Sequence, residues 1–364
     1  MKYSIIVPVY NRPDEVDELL QSLCGQTFKD FEVLIVEDGS VKPCKDVCDK
    51  YASILDLHYY AKENSGPGQS RNYGADRAQG EWLIILDSDV VLPEGYLEAV
   101  EKTINCQLSI VNSFAAFGGP DAAHPSFTPI QKAISYSMTS FFTTGGIRGG
   151  KKKLDKFYPR SFNMGIRRDV YQQLGGFSKM RFGEDIDFSY RIVEAGHQTM
   201  LIPDAWVWHK RRTDLKKFFR QVFNSGIARI NLEKRHPGTM KLVHMLPTVF
   251  TVGVIGLLLL LCLGIALYAE GEWLDANGLR PTDNMHQGVG FMFCILALLP
   301  LLLYSLIIFI DSSIRNKSLW VGLLSIPAAF TQLMGYGLGF IKAWWKRCVL
   351  KQDEFTAFEK NFYK

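Results

Sequence analysis

The chain has 364 residues, 47% hydrophobic and 21% charged, a composition that excludes a disordered or low-complexity polymer. Its 41 Lys and Arg against 37 Asp and Glu leave a net charge of +4, which excludes a generally basic nucleic-acid binder. Residues 242–268, 288–310 and 319–341 hold no Asp, Glu, Lys or Arg, and each run exceeds the roughly 18–20 apolar residues that cross a bilayer, which argues against a purely soluble protein.

In chain order, residues 4–9 read as a buried strand. Residues 13–26 read as a helix, with Val16, Leu19, Leu20 and Leu23 on one face and Pro13 in its first turn. A second strand, 31–37, ends at Asp38-Gly39-Ser40, and a weaker third covers 55–61. The turn Asn64-Ser65-Gly66-Pro67-Gly68 opens a helix over 68–78. A fourth strand, 81–86, runs straight into Asp87-Ser88-Asp89. Strands and helices alternating at this spacing predict an α/β fold with a parallel, doubly wound sheet. Ligands of such sheets bind outside the carboxyl ends of the strands, where Asp38 and Asp87 sit. The glycine-rich segment 105–157 reads as partly loop, a flap over the site. Order returns with a short strand (161–166), a helix (168–174), the turn Gly175-Gly176-Phe177, and a helix from Gly183 to Glu194 closed by Gly196. Residues 200–207 read as a final strand, followed by His209.

Between His209 and Lys241 there are 10 basic and 2 acidic residues, and 213–234 reads as a basic amphipathic helix. Leu215, Phe218, Phe219, Val222, Phe223 and Ile227 form its apolar side. It is expected in the membrane interface, or packed on the domain before it. The first two apolar runs read as spans. The link between them carries Glu270, Glu272, Asp275 and Asp283 against Arg280 and fits an outer loop; the next, with Arg315 and Lys317, fits the cytosol. A third full span would place Lys342, Lys346, Arg347 and Lys351 outside, against the positive-inside rule. Residues 319–341, with Pro327 and Gly335-Tyr336-Gly337-Leu338-Gly339, therefore read as spanning or as re-entrant or interfacial. The apolar N-terminal stretch breaks at Pro8, too early for a signal peptide, so the first domain is expected in the cytosol. Seven scattered cysteines read as reduced thiols, although Cys44 and Cys48 could share a helix face.

Five short elements carry chemistry. Asp87 and Asp89, on a turn after a buried strand, can share a hard divalent cation such as Mg2+ or Mn2+, although such turns are often merely solvated. Asp38 can accept a hydrogen bond from a nucleobase imide, or cap a turn. Arg71, one turn into a helix, suits an anionic ligand or a salt bridge. Glu184, Asp185 and Asp187 favour a helix N-terminus electrostatically; an Asp raised in pKa by its acidic neighbours could also serve as a general base. His209 is structural, or a third ligand if the cation lies nearby.

Taken together, Ser4-Ile5-Ile6-Val7-Pro8-Val9-Tyr10-Asn11, Val36-Glu37-Asp38-Gly39-Ser40, Gly66 to Asn72, Leu86-Asp87-Ser88-Asp89 and Gly183-Glu184-Asp185-Ile186-Asp187 resemble the family 2 glycosyltransferases over about residues 3–212. The apolar segments look like those of its membrane-bound members. The resemblance implies a GT-A fold, a nucleotide-sugar donor (UDP-linked by family habit), a divalent metal, Mg2+ or Mn2+, and inversion at the anomeric carbon. It implies that Pro8 and Tyr10 shape the base pocket, Asp38 holds the nucleobase, and Arg71 lies against base or diphosphate. Asp87 and Ser88 would line the donor site. Asp87 and Asp89 would bind metal, with His209 a third ligand as in some members. Asp185 would be the catalytic base and Glu184 would place the acceptor. Glu37 stands where many members have Asp. The Gln-x-x-Arg-Trp motif of processive synthases is not matched at Gln221-Val222-Phe223-Asn224-Ser225, which favours a single transfer.

The expected organisation is a catalytic domain (1–212), a basic helix (213–240), a membrane region (241–345) and a tail (346–364), anchored in the inner (cytoplasmic) membrane. The expected acceptor is lipid-linked or a glycolipid, its phosphate met by Lys151-Lys152-Lys153 unless that loop is simply solvated. A processive polysaccharide synthase and a non-catalytic membrane scaffold are the alternatives. No nucleic-acid partner is expected.

Overall fold

The computed structural model describes residues 1–108, 114–124, 126–144, 157–277 and 285–357. The chain begins β1 (Tyr3–Val9), α1 (Pro13–Cys24), β2 (Phe31–Asp38), α2 (Lys45–Tyr51), β3 (Leu57–Lys62), α3 (Pro67–Ala75) and β4 (Trp82–Leu86). It continues through β5 (Val90–Val91), α4 (Tyr96–Leu108), β6 (Phe114–Gly118), β7 (Asp121–Ala122), α5 (Pro129–Thr139) and α6 (Phe141–Thr144). Then come β8 (Asn163–Arg167), α7 (Arg168–Gln173), α8 (Glu184–Glu194), β9 (Gln198–Leu201) and β10 (Val207–His209). Four long helices follow: α9 (Leu215–Arg235), α10 (Leu242–Ala276), α11 (Met285–Asn316) and α12 (Leu319–Trp344), the last running into a π-helical turn at Trp345–Val349.

The main sheet has the order β3-β2-β1-β4-β8-β6-β9, and a small second sheet has the order β5-β10-β7. β1 pairs in parallel with both β2 and β4, so the chain ends of three adjacent strands point the same way. Their side chains alternate. Ile5, Val7, Val33, Ile35 and Ile84 pack on one face, with α1 and α4 over them, while Ile6, Leu34, Leu83 and Ile85 meet Phe188 and Ile192 of α8 on the other. Burial on both faces explains why these strands read as unbroken apolar runs.

The sheet is mostly, not wholly, parallel: β8 runs antiparallel to both β4 and β6. Two expectations change. The described part of 105–157 is not a flap but carries β6, β7, α5 and α6, with α5 opened by a Thr128–Gln131 capping box. The basic stretch Gly149 to Lys153 lies outside the described residues. The single strand expected over 200–207 is two short strands in different sheets, parted at Ile202-Pro203-Asp204-Ala205, where proline has no N–H for a ladder. None of the seven cysteines forms a disulfide, and Cys44 and Cys48 lie buried with Sγ atoms 4.0 Å apart.

The apolar side of α9 is covered by protein. Phe218 and Val222 pack with Ala133, Ile134 and Met138 of α5 and with Val321 and Ala328 of α12. The seam with α12 is built on glycine, because a Cβ on Gly226 would meet the Tyr336 carbonyl at 2.1 Å and one on Gly339 the Phe223 carbonyl at 2.0 Å. α10, α11 and α12 are each long and apolar enough to cross a membrane, but their apolar windows are 17%, 11% and 44% buried respectively. Segment 319–341 forms one uninterrupted helix despite Pro327 and its glycines. α12 touches α10 at Pro247, Phe250 and Thr251, and α11 at Tyr304, Ile308, Phe309, Ser312 and Ser313. After α12 the chain returns to α9. Asn224 exchanges two hydrogen bonds with the Ala357 backbone, and Arg235 pairs with Glu354 at 2.8 Å.

Candidate active site

Three neighbouring strand ends supply one wall of a cavity of about 760 Å³: Pro8 and Val9 at the end of β1 with Tyr10 just after it, Asp38 at the end of β2, and Asp87, Ser88 and Asp89 after β4. The starts of two helices supply another, with Arg71 in α3 and Glu184 and Asp185 in α8. The positive φ of Gly66 (90°) and Gly183 (87°), the latter in the αL conformation, lets the chain turn sharply into these two helices.

Asp38 is buried and holds the turn into α3. One carboxylate oxygen accepts from the Ser65 N–H at 2.8 Å and from Lys62, and the other accepts from the Gly66 N–H at 2.9 Å. Arg71 is equally buried. Its two terminal nitrogens donate to Asp87 and to Glu184, each at 2.9 Å, and its guanidinium lies 5.2 Å from the centre of the Phe177 ring. Arg71 thus ties the acid after β4 to the acid opening α8, a bracing role that its spacing in sequence does not reveal.

Asp87, Asp89 and His209 present ligand atoms within 4.8 Å of one another. His209 arrives on β10, stacked on Phe162 with ring centres 5.0 Å apart, and places Nε2 3.2 Å from Asp89. Arg12 donates to the other oxygen of Asp89 at 2.6 Å. Burial opposes ionisation of Asp89, but the charges of His209 and Arg12 outweigh it and hold the carboxyl below the usual range. Burial disfavours the imidazolium of His209, yet Asp89 and Asp121 push its pKa up to about 9.

The two acids opening α8 diverge. Burial and the neighbouring Asp185 outweigh Arg71 and push Glu184 up to about 7. Asp185, also buried, is held below the ordinary value by Arg160, which donates from Nε at 2.6 Å, and by Arg71. The expectation that acidic neighbours raise Asp185 is therefore corrected: the raised carboxyl is Glu184. Asp187 faces away from the cavity, accepting a hydrogen bond from Arg191 Nε at 3.1 Å and pairing with His236 at 3.0 Å.

The structure brings Pro8, Tyr10, Asp38, Arg71, Asp87, Ser88, Asp89, Glu184 and Asp185 around one cavity, while His209 reaches the group through Asp89. Sequence reasoning missed Arg12, Arg160 and Asp121. Each comes from a loop or a two-residue strand far along the chain from its partner, and no spacing advertises such a pairing.

Residues 4–175 match the family described as Glycosyl transferase family 2. Among curated relatives, the "Pre-mycofactocin glycosyltransferase" of Mycobacterium tuberculosis is 27% identical over 250 residues, 64% of this chain and 48% of that one. "Glycosyltransferase AglE" of Haloferax volcanii is 27% identical over 231 residues, 60% of this chain and 70% of that one. The chain thus spans about half the length of the mycobacterial relative. Among solved structures, a mannosyltransferase from Pyrobaculum calidifontis in complex with GDP-Man and Mn2+ aligns over 95% of this chain and 88% of its own, at 14% identity and a TM-score of 0.54. That likeness is one of fold.

Proposed function

Because this chain carries a glycosyl transferase family 2 domain in a GT-A fold, we propose that it moves one sugar, with inversion, from a nucleotide-sugar, UDP-linked by family habit, to a lipid-linked or glycolipid acceptor. The observation that carries the reading is the convergence of Asp87, Asp89, Glu184 and Asp185 on one cavity at the carboxyl ends of parallel strands.

The residues present suit a divalent metal: two carboxylates and an imidazole with ligand atoms within 4.8 Å are a donor set for Mn2+ or Mg2+. Asp87, Asp89 and His209 would hold it, and when bound it supplies positive charge against the departing diphosphate. The solved mannosyltransferase, which carries Mn2+ and GDP-Man, supports the same choice. Pro8 and Tyr10 wall the base pocket. Asp38, already an acceptor for two backbone N–H groups, holds the turn against which the base lies. Ser88 lines the donor site, and Arg71 keeps Asp87 and Glu184 in fixed relation. Asp185 takes the proton of the attacking hydroxyl on Oδ2, the oxygen that Arg160 occupies, so the acceptor must displace or share that arginine. Glu184 places the acceptor.

The catalytic domain (1–212) is proposed to face the cytosol, at the inner membrane. α10 and α11 span, while α12 lies along α9 at the membrane surface. The return of residues 354–357 to α9 supports this reading, since it keeps both ends of α12 on one side. It also keeps Lys342, Lys346, Arg347 and Lys351 with the cytosolic charges.

The test is transfer from radiolabelled nucleotide-sugars to membrane lipid extracts by the purified full chain, with Mn2+ or with EDTA. A single organic-extractable product that EDTA abolishes is expected. A long polymer would replace this reading by a processive synthase. Absence of transfer from every nucleotide-sugar, together with absence of nucleotide binding, would leave the non-catalytic scaffold.

A further inference from the structure

The short helix α6 exposes two phenylalanines side by side, Phe141 at 66% and Phe142 at 42%, with ring centres 5.9 Å apart. The turn that bears them has two sides. Thr143 is buried, donates to the Ser137 carbonyl, and lines the active-site cavity together with Thr144 and Met138. Phe141 and Phe142 stand on the outer side. Residues 133–147 hold no Asp, Glu, Lys or Arg, so no charge in this stretch opposes entry into a medium of low dielectric constant.

Two contacts fix where the α5–α6 hairpin stands against α11. Tyr136 of α5 donates to Asp311 at 2.7 Å, and the Phe142 carbonyl accepts from Tyr304 at 3.2 Å. Asp311 bounds the uncharged run of α11 and pairs with Arg315 at 3.0 Å. Tyr304 lies two turns farther into that run, about 10 Å along the helix axis. The hairpin therefore follows α11 from its charged end into its apolar stretch. At that level Tyr304 packs on Phe250 of α10, with ring centres 5.1 Å apart. To either side of this contact Leu303, Leu306 and Ile307 of α11 and Val249 and Val252 of α10 are exposed. The apolar surface of the two helices is thus continuous with Phe141 and Phe142, and one medium covers both. A protein partner would call for a polar rim around its apolar centre, and the hairpin tip offers no charge for one.

Resting on the reading in which α10 and α11 span the membrane, we infer that α6 is a lipid anchor of the catalytic domain: Phe141 and Phe142 enter the acyl chains of the cytosolic leaflet beside α11. The inner side of α5 stays on protein, with Ala133, Ile134 and Met138 against α9 and α12. The anchor holds the cavity wall at Thr143 and Thr144 to the leaflet through a contact separate from α9.

The test uses full chains with one introduced cysteine, the native cysteines other than the buried Cys44 and Cys48 being replaced by serine. Phe141→Cys reports on the anchor. Val249→Cys on α10 reports on the spans, and Ile54→Cys, exposed between α2 and β3, is the aqueous reference. Each is labelled with an environment-sensitive fluorophore and placed in vesicles of phosphatidylcholine and phosphatidylglycerol. Quenching is then measured with phosphatidylcholine spin-labelled on its acyl chain and with iodide in the water. The label at position 141 should be quenched by the spin-labelled lipid at least about twofold more than the label at 54, and be shielded from iodide as the label at 249 is. Both phenylalanines are exposed, and Phe142→Cys takes the place of Phe141→Cys should that variant fail to purify. Quenching of position 141 by iodide, with position 249 quenched by lipid, would overturn the anchor and keep the spans. Shielding of position 141 from both quenchers would show a protein cover, a second copy or another partner, and would overturn it equally. Position 249 untouched by the spin-labelled lipid would remove the spans, and the anchor with them.

Discussion

Asp185 and Glu184 are adjacent in sequence yet titrate in opposite directions, because each meets a different arginine in a different setting. Arg160 sits directly on Asp185, whereas Glu184 shares Arg71 with Asp87 and bears the charge of Asp185. Asp185→Asn keeps the shape but cannot take a proton. Its turnover should fall by about 10²–10⁴ while donor affinity, measured by nucleotide titration, is retained. Normal turnover would remove Asp185 from the role of base. For Glu184 the sign follows from its raised pKa: the folded state binds the proton more tightly than the unfolded chain does, so its contribution is complete below the ordinary value of 4.5 and is lost as pH rises through about 7. Glu184→Gln, which still accepts from Arg71, should therefore gain thermal stability relative to wild type between pH 4.5 and 7, read as the difference in Tm across that range. A difference independent of pH would count against it. In the sequence, Asp187 looks as promising as Asp185. Two helical positions turn a side chain by about 200°, which is why one faces the cavity and the other His236.

At the scale of elements, the segments that declared themselves are those whose environment is uniform. β1, β2 and β4 are buried on both faces, and the buried stripe of α1 repeats every three or four residues. β6 and β10 did not declare themselves. β6, Phe-Ala-Ala-Phe-Gly, owes its strand conformation to lying between β8 and β9, and β10 has three residues. The expected reading of α9 as amphipathic was sound in its periodicity, but periodicity does not say whether lipid or protein covers an apolar face. Glycines of α12 at 335 and 339 did carry that signal, since they mark where a backbone approaches closely. Gly226→Val or Gly339→Val should destabilise the folded chain in detergent by about 1–3 kcal/mol or more, because the added carbons meet carbonyl groups that cannot move aside. A Tm unchanged within error in both variants would show that the seam is looser than described.

For the whole molecule, the consequence lies in sidedness. α12 begins where α11 ends, and residues 354–357 close back onto α9. Cys106 on α4 and Cys348 after α12 are both exposed, so each can report on a side of the membrane. In sealed vesicles of one orientation, single-cysteine variants keeping Cys106 or Cys348 should be labelled by a membrane-impermeant maleimide from the same face. Labelling from opposite faces would make α12 a third span. The sequence left this open because hydropathy measures length and greasiness, and α12 has both, whereas its neighbours decide its direction.

The glycine-lined contact between α9 and α12 has a mechanical outcome. Where a flexible tether would let the catalytic domain swing, helices joined backbone to backbone act as a stiff pedestal, and in the proposed membrane arrangement the mouth above Asp185 would be carried at a set elevation over the leaflet. If the acceptor is carrier-linked, as proposed, such a mount would work as a gauge: glycans whose reactive hydroxyl stands much higher or lower on their carrier would fall out of reach, whatever their stereochemistry.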